Sequence, residues 1–153
     1  MTAVSAGWFH SCAIADDDVY CWGSNSSGKL GDGTTTASSV PVRVQGLGSG
    51  ITEVSANDES CAIVHDSALC RGINGYGNLG DGTVTDSSSP VAVMGLSTGV
   101  TDIAAGGLCS CAVVDGVKEV VLRAPGHKGL IGQVCIRDQR AVRAMAACTI
   151  GGV

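Results

Sequence analysis

Short apolar runs alternate with clusters of Gly, Ser, Asp and Thr along the first three-quarters of this chain. The runs SCAIA (Ser11 to Ala15), VYCWG (Val19 to Gly23), PVRVQGL (Pro41 to Leu47) and GITEVSA (Gly50 to Ala56) are typical. Their lengths suit strands, and no 3.6-residue apolar stripe is long enough for a helix. The polar clusters between them are rich in turn residues. The pattern predicts an all-β fold of many short strands joined by turns.

The same pattern is written more than once. Gly28, Leu30, Gly31, Asp32, Gly33 and Thr34 recur as Gly77, Leu79, Gly80, Asp81, Gly82 and Thr83, each 49 residues on. Cys12 and Cys21 recur as Cys61 and Cys70, and Pro41 and Leu47 as Pro90 and Leu96, at the same offset of 49. Val4 and Val54 differ by 50, so one residue is missing before Cys61. Three copies follow: residues 4–53, residues 54–102, and a beginning at 103–117, with an off-pattern tail at 118–153. Several strands in a repeat of this length are the mark of a propeller blade.

The repeated residues resemble those of the regulator-of-chromosome-condensation repeat. Its pattern is carried here by Ala6, Gly7, His10, Cys12, Ala13, Val19, Cys21, Trp22, Gly23, Asn25, Gly28, Leu30, Gly31, Asp32, Gly33, Thr34, Pro41, Val44, Gly46 and Leu47. The second copy departs from it at Asn57, Glu59 and Arg71, where Gly, His and Trp are expected. The resemblance implies four-stranded blades and, commonly, a ring of seven.

Only about two and a third repeats are present, whereas a closed propeller has about four to eight blades. The chain is therefore expected to be a fragment of a longer protein, or an open array completed by another chain. An open array leaves blade edges uncovered, which offers a route to self-association. The residues present are not expected to include a signal peptide, and no apolar run approaches the ~20 residues of a membrane span. Aromatic residues are scarce, so Val, Ile, Leu and Ala must build most of the core.

The tail breaks the pattern. Residues 118–153 hold six basic and two acidic side chains, a net of +4, whereas residues 1–117 hold three basic and twelve acidic, a net of −9. Glu119, Val120 and Val121 stand where Cys-Trp-Gly is expected. Three readings compete: a terminal cap, with QRAVRAMAACT as a short amphipathic helix; a basic arm; or out-of-frame translation of a third blade. Composition, charge and motif all break at one point inside a repeat, which favours the last.

Cys12 and Cys21 flank a hairpin expected at Asp16-Asp17, in a register that places them opposite each other. Cys61 and Cys70 do the same around His65-Asp66. Opposed residues of an antiparallel pair are close enough for a disulfide. The alternatives are buried thiols and, with less support from the spacing, zinc. The disulfide reading carries the most weight, and it implies an oxidising compartment. In the third copy the counterpart of Cys21 is gone, so Cys111 has lost the partner the repeat would supply. Cys109 stands in the place of His10, and a Cys109–Cys111 bridge would close a strained ring.

Other motifs have plainer readings. Gly75 to Gly80 matches G-x-G-x-x-G, but no helix follows to receive a pyrophosphate, so its glycines are read as turn residues. Asp32 and Asp81 suit turn capping, and Asp16 to Asp18 a solvated hairpin tip. His10, His65 and His127 occupy unrelated positions, and there is no nucleophile elbow. No catalytic residue, cofactor or metal is assigned.

The reading that follows is a non-enzymatic scaffold from a longer propeller, extracytoplasmic or secreted. Its partner would be a protein or polar ligand and not nucleic acid, since the blades are acidic. Nucleotide exchange on a small GTPase is the alternative the resemblance carries. Polysaccharide cleavage by a propeller comes third.

Overall fold

The computed structural model describes residues 1–107, 110–114 and 118–122. It forms three antiparallel sheets in succession. The first holds β1 (Ala3–Ala6), β2 (His10–Ala15), β3 (Asp18–Gly23) and β4 (Ser38–Arg43), in spatial order β1-β2-β3-β4. The second repeats that order with β5 (Ile51–Ala56), β6 (Glu59–Val64), β7 (Ser67–Gly72) and β8 (Ser87–Ala92). The third holds β9 (Val100–Ala105), β10 (Ser110–Val114) and β11 (Lys118–Leu122), with β10 in the middle. Each sheet is a meander in which sequence neighbours pair, the cheapest connection for antiparallel strands.

The tight hairpins follow from residue type. Asp16 and Asp17 adopt φ of 52° and 64°, and His65 and Asp66 φ of 46° and 59°. Two positive φ values in a two-residue loop match the right-handed twist of the flanking strands, and Asp and His tolerate them better than branched residues. The outermost strands carry Pro41 and Pro90. Proline has no N–H for the ladder and is confined to such edge positions.

The core is divided between the two seams where sheets face each other. Cys12, Ile14, Val19, Leu30, Val44 and Leu47 of the first sheet and its loops pack against Val54, Ala56, Ala62 and Val64. Cys61, Ile63, Ala68, Leu79, Val93 and Leu96 repeat the arrangement against Val100, Ile103, Ala105 and Ala112. Small aliphatic faces buried between neighbours replace one large core, as in other repeat arrays. The middle sheet has a neighbour on each side, and β6 is accordingly buried at every position.

Two sequence expectations change. The boundary drawn at residue 117 falls inside the third sheet, because β11 pairs with β10 from Ser110↔Leu122 to Val114↔Lys118. Alternating backbone pairing needs no repeat motif, and Val120, Val121 and Leu122 suit a strand. Cys111 faces Val121 in this register, yet it is disulfide-bonded. The loss of its repeat counterpart therefore does not leave Cys111 a free thiol. Cys109, His127 and the QRAVRAMAACT segment lie outside the described residues, as do all three readings of the tail beyond Leu122.

Candidate functional site

Among the described residues, the buried polar groups lie at the two seams and in the loops beside them. At the first seam His10 Nε2 lies 2.7 Å from the Ser60 hydroxyl. The Ala56 N–H donates to Ser5 Oγ at 3.0 Å. At the second seam the equivalent bonds recur with one change of residue. Glu59, in the place of His10, accepts from the Ser110 hydroxyl, from the Gly106 N–H at 3.2 Å and from the Asn78 amide at 3.3 Å. The Ala105 N–H donates to Ser55 Oγ at 3.0 Å.

Burial sets the charge state of both groups. Desolvation, then the charges of Lys29 and Arg71, pushes His10 down to about 4, so its ring is neutral at pH 7. Desolvation pushes the Glu59 carboxyl up to about 7, and the Ser110, Asn78 and backbone donors only partly offset it.

Arg71, in the place of Trp22, is wholly buried in the first seam. The strand register slips between Cys70 and Gly72, as it does between Cys21 and Gly23, and such irregularities re-aim a side chain. The Arg71 Nε donates to the Lys29 carbonyl at 3.1 Å, and Nη2 reaches Cys21 Sγ at 3.0 Å and Cys12 Sγ at 3.6 Å. Gly31, with φ of 72°, lies against the Arg71 Cδ and Nε, where a Cβ would collide.

The loops are held by a second repeated device. The Asn25 amide donates to Asp32, to the Thr34 carbonyl and hydroxyl and to the Thr36 carbonyl, while its oxygen accepts from the Leu30 N–H at 2.9 Å. Asn74 makes the same five bonds to Asp81, Thr83, Thr85 and Leu79. Asp32 and Asp81 in turn accept from the N–H and hydroxyl of Thr34 and Thr83. Each therefore caps its turn. Burial opposes the ionised form of Asp32, but the bonds from Thr34 and Asn25 outweigh it and hold the carboxyl below its ordinary range.

The Cys12 and Cys21 sulfurs lie 2.14 Å apart, and those of Cys61 and Cys70 2.13 Å, both at bonding distance. Each pair lies directly opposite across its hairpin. Gly75 to Gly80 forms a turn between β7 and β8, with no helix behind it. Among the described residues no group of three or more His, Cys, Asp and Glu is placed to hold a metal ion. No described helix is long and apolar enough to cross a membrane.

Glu59 and Arg71 are among the residues whose roles sequence reasoning did not supply. Both were visible as departures from the repeat, but their partners lie 51 and 50 residues away, at Ser110 and Cys21. On the β1–β2 loop of the first blade, Trp8 and Phe9 are 75% and 68% exposed. On β1, Val4 is 67% exposed, whereas its equivalent Val54 is 6% exposed under the first blade.

Three successive meanders packed face to face, with matching seams, define a partial β-propeller. The regulator of chromosome condensation (RCC1) repeat profile matches residues 16–64 and 67–113, and a second profile for the repeat matches residues 1–29. The chain belongs to the RCC1 repeat family. Over 54 residues it is 46% identical to the E3 ubiquitin-protein ligase HERC2 of Homo sapiens and to that of Mus musculus, covering 34% of this chain and 1% of each relative. Among solved structures it is similar to human WBSCR16, with a TM-score of 0.72 at 23% identity, over 79% of this chain and 32% of that one. It is also similar to yeast RCC1 (Prp20) bound to Kap60, with a TM-score of 0.66 at 18% identity, over 78% of this chain and 31% of that one. The chain thus spans about a third of the length of these propellers, and the likeness to them is one of fold.

Proposed function

We propose that this chain is a non-enzymatic binding scaffold, a segment of a longer RCC1-type propeller that presents its loops to a protein or other polar partner. The observation that carries this reading is the division of labour among its side chains. His10, Glu59, Arg71, Asn25 and Asn74 are buried and occupied in holding blades and loops together. Among the aromatic residues left exposed, Trp8 and Phe9 form an adjacent pair on an acidic body, with Tyr76 also exposed on the second blade. Exposed aromatics are the side chains that anchor partners best. Acidic blades disfavour nucleic acid.

The facing cysteines support an extracytoplasmic or secreted location, since disulfides persist in oxidising compartments. Nucleotide exchange on a small GTPase draws no support from any particular residue of this chain. A photo-crosslinking residue at position 8 of the full-length protein tests the scaffold reading. Saturable crosslinking to a defined partner at position 8, and none from the exposed Val40 on β4, is the expected result. Equal capture at both positions, or none at either, would overturn it.

A further inference from the structure

Arg71 is a buried cation with an unusual set of neighbours. Among the described residues it has no carboxylate partner, and the ion pair present joins Arg43 to Asp18 instead. Its Nη1 makes no hydrogen bond. What faces its positive charge is the pair of sulfurs of the first blade, with Cys21 Sγ the nearer at 3.0 Å. A disulfide sulfur is a weak acceptor, whereas a thiolate is a full anion. The site is therefore better matched to the reduced form of this cysteine pair than to the oxidised one.

The second blade provides the contrast. There the register position equivalent to Arg71 belongs to Leu122: Ser60 pairs with Arg71, and Ser110 with Leu122. Both disulfides have the same serine neighbour, since Ser60 Oγ and Ser110 Oγ lie 3.9 Å from Cys12 Sγ and Cys61 Sγ. Among the described residues two things differ: Arg71 stands beside the first pair, and the serine of the first pair meets His10 where that of the second meets Glu59.

We propose that Cys12–Cys21 is a redox-modification site, a disulfide poised for reduction by thiol reductants, with Arg71 holding Cys21 as the thiolate product. Cys61–Cys70 is its structural counterpart. The reductant is a small dithiol. Its thiolate attacks Cys12 Sγ, the Cys12–Cys21 bond breaks, and Cys21 leaves as a thiolate beside Nη2. The second reductant thiol, as its thiolate, attacks the mixed disulfide and expels Cys12, which takes up a proton. Two electrons enter the protein with one proton, and the reductant leaves as its cyclic disulfide with one proton released to water. A stabilised thiolate is the better leaving group. Arg71 acts through Cys21 and is a positioning residue.

The test is an equilibrium titration of the full chain against reduced and oxidised dithiothreitol, quenched in acid and alkylated, with each cysteine read by mass spectrometry. Equilibration removes the influence of burial on rate. Cys12–Cys21 is expected to be at least tenfold easier to reduce than Cys61–Cys70, or about 30 mV for a two-electron couple. Arg71→Trp should abolish that gap; Trp22 already occupies the equivalent register position opposite Ser11. Repeating the wild-type titration at several pH values requires no substitution: one proton per two electrons halves the pH slope of the Cys12–Cys21 couple. Equal potentials for the two pairs, a gap that survives Arg71→Trp, or a two-proton slope would each overturn the proposal.

Discussion

The first and second seams are built to one plan, yet they respond to acid in opposite ways. At the first, neutral His10 meets Ser60; at the second, Glu59 meets Ser110. His10 titrates at about 4 in the fold, below its ordinary value, so it is protonated in the unfolded chain before the folded one. Its contribution is complete above about pH 6.5 and is lost as the pH falls through 4. Glu59 titrates at about 7, above its ordinary value. Its contribution is complete below about pH 4.5 and is lost as the pH rises through 7. One repeat position therefore sets which flank of the pH range loosens which seam, on the order of 3 kcal/mol at most for each.

The largest effect should come from emptying the second seam. Glu59→Ala leaves three buried donors without their acceptor and should cost about 3–5 kcal/mol in urea unfolding at pH 5. A loss under 1 kcal/mol would show that water or a neighbour replaces the carboxyl group, and that the two seams are not alike. Glu59→His places the first seam's residue in the second. The decline in stability between pH 4.5 and 7 should then disappear, and the decline toward pH 4 should deepen. A profile unchanged in both limbs would break the comparison.

Asn25→Ala and Asn74→Ala test whether the repeat is equivalent in energy as well as in geometry. Each removes five bonds from a loop anchor, and each should cost about 2–3 kcal/mol. Values that differ by more than about 1 kcal/mol would mean that the seam beneath each loop, and not the loop, sets its stability. Smallest of all should be the effect of Arg43→Ala. The Arg43–Asp18 pair is exposed, and the second copy has Ala92 at that position. Thermal unfolding should not change measurably, because exposed ion pairs contribute little.

Much of the blade was legible in the residues. The two-residue hairpins, the facing cysteines and the capping aspartates are local features, settled within about ten residues by turn chemistry and side-chain alternation. The strand at Lys118–Leu122 was not, because its motif is absent and only a run of three apolar residues remained. The seams were not legible either. His10 and Ser60 are 50 residues apart, and a repeat period says which residues are equivalent without saying which ones touch.

Val4 and Val54 show where that line falls. By sequence they are the same position of the same repeat, and both are strand residues. Period, strand identity and family follow from the chain alone, because they depend on local pattern and on its recurrence. That one valine is exposed and the other buried was decided by tertiary packing, since burial belongs to the neighbour and not to the residue. The same is true of Arg71, which reads as a lost tryptophan in the sequence and becomes a cation against the sulfurs of the preceding blade only when two sheets meet.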